Sequence, residues 1–501
     1  MTFRYASGAL VDLATPMLIV MAKEGTNPKK GLFLSLDDLV GGTLQPALAT
    51  GDFSGKSGEG MMVYGRGGAR IKRLMLWGLG KDSVTTDGWR SAIAQAALYT
   101  RSMGVRKFAI LIDPTTTDKL GTGELTEGAV LGCGMSLYQY LRHRTQDLDK
   151  VKDVEEITLY VEKAKDKKPL EESGARAEMI LDGITLARDL QNGPPNIVTP
   201  AYLVRTAEGI AQDLKLILNV FDEEALKKMN ANGILAVGSG SHEHSYLIVL
   251  EYRGGKRGEP PLCIVGKGLC FDSGGLSIKV GDGMVGMKFD MSGAAAVLGT
   301  VKTAAALKMP VNVIGVIPAV MNMPDGKAYR VDDILTMMNG KTVEVGNTDA
   351  EGRIVLADAL HYAVSTYKPR GVIDLATLTG AMVITLGHNA TGLFANDDEL
   401  ALKVWEAGER SGERVWRLPI WDEYRRQIKS EVADIKNTGG REAGSITAAL
   451  FLKEFVGDTP WVHLDIAGTA NGVKDKPCYP KDLGTGVGVR LLYELLKHWS
   501  V

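Results

Sequence analysis

Apolar and polar positions change rhythm repeatedly along this chain, and the rhythm predicts its elements. Short apolar runs read as strands at 16–22 (PMLIVMA), 73–80 (RLMLWGLG), 107–113 (KFAILID) and 156–162 (EITLYVE). Over 87–104 and 125–142, apolar residues return every three or four positions, the period of helices packed on one side. Such alternation predicts an α/β layer. The pattern stops at 161–174 (VEKAKDKKPLEESG), a charged stretch that marks a boundary, and 163–179, mixed in sign, reads as a solvated linker. Residues 175–192 then read as a helix, broken by Gly193-Pro194-Pro195. Thr199-Pro200 is a start signal for the next helix, with Thr as cap and Pro in the first turn.

The second half alternates again. Strands are expected at 246–254, 261–268, 311–320, 371–380 and 461–468, and helices at 293–309, 354–367 and 445–456. These strands are nearly all apolar, as expected where helices cover both faces of a sheet. The expected organisation is α/β throughout. A smaller N-terminal α/β domain (1–170) is followed by a connecting helix (171–192). A larger C-terminal α/β domain (193–501) has a central, mainly parallel sheet flanked by helices.

Composition narrows the classes. The formal net charge is -2, so no strong field calls for nucleic acid or a membrane surface. No apolar stretch approaches the ~18 residues of a membrane span, and the start lacks a signal-peptide pattern. Cys133, Cys263, Cys270 and Cys478 are scattered with no CxxC pair, which fits a reducing compartment. A cytoplasmic location is the expectation. Glycine is abundant, 60 of 501 residues, which implies many tight turns and close backbone approaches.

The chemistry concentrates in two stretches. NTDAEGR (347–353) follows an expected strand at 341–345 and precedes an apolar helix. If extended, it puts Asp349, Glu351 and Arg353 on one face. It would then lie at the carboxyl end of a strand and the mouth of a helix, where α/β folds bind ligands and anions. The second stretch is GKGLCFDSGGLSIK (266–279) with KFDMSGAAAV (288–297). It supplies Lys267, Asp272, Lys279 and Asp290 just beyond a buried strand, where an unpaired charge is expensive. Asp272, Asp290, Asp349 and Glu351 cannot share a dry cleft without positive charge. Oxygen-rich ligation suits Mg, Mn or Zn, and two ions about 3.5–4 Å apart can share carboxylates.

On these segments the chain resembles the leucyl aminopeptidase family, also called cytosol aminopeptidase. The match covers roughly residues 180–501, with NGPPNIVTPAYL (192–203) resembling the entry to that family's catalytic domain. The resemblance implies an exopeptidase that releases N-terminal residues, preferably Leu, Met and other apolar ones, from peptides. It implies two divalent metal ions, Mn or Zn. Lys267, Asp272, Asp290 and Glu351 would hold the tighter one, and Asp272, Asp349 and Glu351 the exchangeable one. Lys279 and Arg353 would be the catalytic pair, with Arg353 anchoring a bicarbonate that accepts the proton. Met287, Thr377 and Gly380 would line the pocket for the N-terminal side chain. The resemblance also implies a homohexamer.

Departures from the family pattern fall beside these residues, not on them. Val280 stands where Pro is frequent, Val285-Gly286 where an acidic pair is common, and Cys270 where Thr is frequent. SHEHS (241–245) lacks the helical HExxH spacing and reads as a surface loop. The alternative function is a DNA-binding or regulatory protein on the same fold. It requires a basic stripe, and only the small clusters RIKR (70–73) and LRHR (141–144) are present, so nucleic acid is not the expected partner.

Overall fold

Strand alternation builds the N-terminal sheet of the computed structural model, which describes residues 1–27 and 29–499. Its strands are β1 (Thr2–Ser7), β2 (Leu18–Ala22), β3 (Gly60–Tyr64), β4 (Arg73–Gly78), β5 (Lys107–Leu111) and β6 (Glu156–Val161), in the order β1-β6-β5-β2-β4-β3. All pairs are parallel except β3 with β4. On β2, Leu18, Val20 and Ala22 enter one apolar core while Ile19 and Met21 enter another on the opposite face. The strand is therefore apolar at every position. This unit comprises Met1–Leu181 and a later segment, Asp475–Pro480.

The helix expected from residue 175 begins earlier, at Lys167, and runs to Asn192. The linker reading of 163–179 is therefore corrected over most of its length. Pro169 lies in the first turn, where a missing N–H breaks no helical bond. Lys167–Glu171 (3.9 Å) and Lys168–Glu172 (3.7 Å) are i,i+4 pairs that support the exposed side. The buried face, Leu170, Ser173, Ala177 and Ile180, contains small polar and alanine positions, which concealed its period in the sequence.

The second unit spans Asp182–Lys474 and the chain from Lys481 on. Its strands are β7 (Ile217–Phe221), β8 (Tyr246–Arg253), β9 (Leu262–Gly266), β10 (Gly268–Asp272), β11 (Asn312–Asn322), β12 (Ile334–Thr336), β13 (Thr342–Glu344), β14 (Gly371–Ala376), β15 (Thr391–Ala395), β16 (Val415–Arg417), β17 (Ile435–Lys436) and β18 (Trp461–Asp465). Nine of them form a mixed, mostly parallel sheet in the order β16-β15-β18-β14-β9-β11-β8-β7, with β10 also on β11. The long strand β11 pairs in parallel with β9 along its first half and with β10 along its second. The single expected strand at 261–268 is thus two strands interrupted at Lys267. The other three, β12, β13 and β17, form a small separate sheet.

Two neighbouring strands of the large sheet, β14 and β18, share a buried polar cluster. His463 Nδ1 of β18 is 2.6 Å from Asp374 Oδ1 of β14, and Trp461 Nε1 donates to Asp374 Oδ2 at 2.7 Å. The four cysteines are all buried and free. His242 and His244 lie in a loop, with His244 largely exposed beside Glu223.

Candidate metal centre

The interruption between β9 and β10 creates the first wall of the site. Lys267 leaves the strand path there while keeping its backbone bonded, its N–H donating to Leu375 O at 3.0 Å and its carbonyl accepting from Ala294 N at 2.9 Å. Its side chain is buried at the centre of a carboxylate cluster. Nζ lies 2.8 Å from Asp290 Oδ2 and 2.9 Å from Glu351 Oε1, and it donates to Thr377 O at 3.0 Å. Asp272 ends β10, where its Oδ1 accepts from Gly274 N and Asn322 Nδ2, both at 2.9 Å. Asp290 sits in the turn before helix Ser292–Ala306 and accepts from Thr377 Oγ1 at 2.7 Å.

The NTDAEGR segment forms the opposite wall, with a different backbone from the one expected. It is not extended. Residues 348–349 make a turn, and Glu351 is the first residue of helix Glu351–Tyr367. Alternation therefore does not align Asp349, Glu351 and Arg353; a turn followed by a helix start turns all three to the same cavity. The preceding strand, β13, belongs to the small sheet rather than the central one. Gly352 explains its own place in the motif: a Cβ there would lie 2.5 Å from Lys267 Cε and 2.6 Å from its Nζ.

Two amides hold these walls in register. Asn437, fully buried after β17, accepts from Gly346 N at 2.8 Å and donates to Asn347 O at 2.6 Å and Ala350 O at 3.3 Å. Asn322 bridges Asp272 to Thr348 O, the latter at 3.0 Å. Neither was singled out in the sequence. For Asn437 the available signal was the Asn-Thr-Gly-Gly run at 437–440, which repeats the Asn-Thr that opens NTDAEGR.

Asp272, Asp290 and Glu351 each present an oxygen such that the three lie within 4.8 Å of one another, all buried. Asp349 stands outside that group and is joined to it through Lys279, whose Nζ is 2.8 Å from Asp272 Oδ2 and 2.5 Å from Asp349 Oδ1. Arg353 is buried; its Nη1 donates to Asn437 O at 2.9 Å, and its Nε has no hydrogen-bond partner among the described residues. Met287, Thr377 and Gly380 line the same cavity of about 490 Å³, so all ten residues singled out in the sequence meet there. Thr377 is also a scaffold, since it touches both Asp290 and Lys267.

The charges shift one another strongly. Burial pushes Glu351 up to about 8, with Asp272 adding repulsion against the attraction of Lys267. Burial likewise raises Asp290 and Asp349. For Lys267 burial acts downward, but Asp290, Glu351 and Asp272 outweigh it and hold the ammonium above its ordinary range. Lys279 behaves the same way between Asp272 and Asp349. Burial lowers Arg353 to about 10, opposed by Glu351, Asp465 and Asp349. Glu351 Oε2 is buried with no hydrogen-bond partner among the described residues. A converging set of buried oxygens, with Glu351 Oε2 and Asp290 Oδ2 both without a hydrogen bond among the described residues, fits a hard or borderline divalent cation.

Comparison with known proteins gives the following. The model of the cytosol aminopeptidase family's catalytic domain matches residues 185–493, and that of its N-terminal domain matches 19–147. A probable cytosol aminopeptidase of Geobacter sp. (strain M21) is 43% identical over 499 residues, 99% of this chain and 100% of that protein. Another, from Roseiflexus castenholzii, is 44% identical over 503 residues, 99% of this chain and 98% of that one. A solved mutant of tomato leucine aminopeptidase has a TM-score of 0.86 at 35% identity, covering 99% of this chain and 96% of that one. The bottromycin maturation enzyme BotP in complex with Mn has a TM-score of 0.83 at 32% identity, covering 97% of this chain and 99% of that one.

Proposed function

The chain belongs to the cytosol aminopeptidase family, and on that premise we propose that it releases N-terminal Leu, Met and other apolar residues from peptides with the help of two divalent ions. The observation that carries this is Glu351, a buried carboxylate with an unmatched oxygen, converging with Asp272 and Asp290 within 4.8 Å. Lys267, Asp272, Asp290 and Glu351 would hold one ion, and Asp272, Asp349 and Glu351 the other. When bound, such ions supply a Lewis acid for the scissile carbonyl and a hydroxide from water near neutral pH. The oxygen donors and single amine suit Mn and Zn alike.

The chain's own residues divide the remaining work. Lys267 must lose its proton to become a ligand, against the pull of Asp290, Glu351 and Asp272, so metal uptake releases protons. Lys279 faces the cavity between Asp272 and Asp349. Its ammonium is the donor available to the carbonyl oxygen as that oxygen becomes negative. Arg353 stays charged in the working range even when lowered to about 10, so it cannot serve as a base. Its unpartnered Nε fits a small anion, and bicarbonate held there would provide the proton acceptor. Met287, Thr377 and Gly380 would receive the N-terminal side chain, the flexible Met wall adapting to Leu or Met.

We extend the reading to a catalytic domain over 193–501, reached from the N-terminal domain (1–170) through the connecting helix (171–192), and to a cytoplasmic homohexamer. Among the described residues no helix is long and apolar enough to cross a membrane. The test is hydrolysis of Leu-p-nitroanilide by chelator-treated protein before and after Mn or Zn is restored, alongside Glu351→Ala. Chelation should abolish activity, metal should restore it, and the variant should stay at least ~100-fold below wild type. Unchanged activity after chelation, or none with either metal, would overturn the reading.

A further inference from the structure

Four cationic side chains line the catalytic cavity: Lys267, Lys279, Arg353 and Arg441. Three are engaged in the site already described, Arg353 through the anion proposed above. Lys267 and Lys279 sit between carboxylates, at 2.9 Å from Glu351 and 2.5 Å from Asp349. Arg353 is buried in the wall and donates to Asn437 O at 2.9 Å. Arg441 is exposed to the cavity, and among the described residues no carboxylate pairs with it.

The loop that carries Arg441 is anchored and unusual. Its root is Asn437, locked to the NTDAEGR segment by the hydrogen bonds already described. Gly439 packs tightly, since a Cβ there would lie 2.9 Å from Thr447 Cγ2. The backbone then takes two left-handed steps, Gly440 at φ 92° and Ala443 at φ 52°, before helix Gly444–Lys453 begins. A left-handed residue with a Cβ is uncommon and is retained where the surroundings require it. Here Ala443 O accepts from Thr447 N at 3.0 Å, in the first turn of that helix.

The cavity is therefore polarised, with carboxylates converging at its metal centre and one unpaired guanidinium on its rim. A short peptide is polarised in the same way, with an amine at one end and a carboxylate at the other. We infer that Arg441 takes the free C-terminal carboxylate of a dipeptide on the leaving-group side, making the protein selective for short peptides with a free carboxylate. The planar guanidinium fork suits a carboxylate, with two parallel hydrogen bonds. The inference rests on the aminopeptidase reading, and it names the end of the substrate that reading leaves unspecified.

The test compares Leu-Gly with Leu-glycinamide on metal-loaded, full-length protein, in wild type and in Arg441→Ala, Arg441→Gln and Arg441→Lys. Wild type should favour the free acid by about tenfold or more in kcat/KM, expressed mainly in KM, as for a charge-assisted hydrogen bond. The acid-to-amide ratio should approach one in the Ala and Gln variants and stay intermediate in Lys, which keeps the charge without the fork. Equal use of acid and amide by wild type, or an unchanged ratio in Arg441→Ala, overturns the inference alone. Failure of wild type to cleave either substrate or Leu-p-nitroanilide overturns the aminopeptidase reading and this inference together.

Discussion

Replacing Gly352 with Ala probes whether close approach, rather than helix propensity, explains the glycine of NTDAEGR. The new Cβ would lie 2.5 Å from Lys267 Cε, 2.6 Å from Nζ and 3.0 Å from Cδ. Carbon atoms pack at about 3.5–4.0 Å, so the overlap is about 1 Å. Lys267 has little room to retreat, because Asp290, Glu351 and Thr377 O hold its Nζ at 2.8, 2.9 and 3.0 Å. In an open helix, Gly→Ala stabilises by about 0.5–1 kcal/mol. Overpacking takes back about 1–3 kcal/mol, and full loss of the buried Lys267 pairing would add about 3–5 kcal/mol. The expectation is a net destabilisation of about 1–2 kcal/mol if Lys267 only shifts, and more if it is expelled. Mn affinity should weaken about 10–100-fold, as when a supporting contact of a ligand is lost. Gly209 supplies the control: it is exposed on helix Pro200–Leu214, and a Cβ there meets nothing within 4 Å. Urea denaturation and Mn calorimetry on chelator-treated protein measure both effects. If Gly352→Ala stabilises as Gly209→Ala does and binds Mn like wild type, the close-approach argument is wrong.

Two further predictions test the supports of the site. Asn437→Ala removes the hydrogen bonds to Gly346, Asn347 and Ala350 and should cost about 1–3 kcal/mol. It should lower kcat/KM for Leu-p-nitroanilide roughly tenfold, because the loop carrying Asp349 and the root of the Arg441 loop both loosen; wild-type kinetics would count against that role. His463 supplies the pH test. Burial acts to lower its pKa, but Asp374 at 2.6 Å outweighs burial and holds it above the ordinary value. A histidine raised on folding contributes stability that is complete below about pH 6.5 and is lost as pH rises through the folded value. Stability of wild type should therefore decline through the alkaline side of neutrality, and the slope should flatten in His463→Gln; denaturation midpoints across pH 5 to 9 decide it.

Much of this molecule was readable one segment at a time. The inner strands β2, β4, β5 and β6 of the first unit, the long strands β8, β11, β14 and β18 of the second, and the helix after Thr199-Pro200 follow from local periodicity and capping, because the side-chain pattern of an element is set by which of its faces is buried; short or edge strands such as β1, β3, β7, β15 and β16 were not marked. The carboxylates and lysines were readable too, because charges beside a buried strand demand partners. Only the first turns of the helix from Lys167 were hidden, since Ser173 and Gly174 fill buried positions that pattern reading expects to be large and apolar. The conformation of NTDAEGR was also hidden: a spacing of two suggested an extended strand, whereas a turn and a helix start converge the same side chains. Asn322 and Asn437 escaped notice because each acts on residues tens of positions away, and Arg441 because only the folded cavity gives an exposed loop arginine its place. The sequence alone determined which charged side chains needed partners, and ten of the residues it marked line one cavity. Only the tertiary structure decided how they meet, because the break between β9 and β10, the β13–β17 pairing and the approach of Lys267 to Gly352 are all long-range contacts, fixed by packing between elements rather than by the propensities of any one of them.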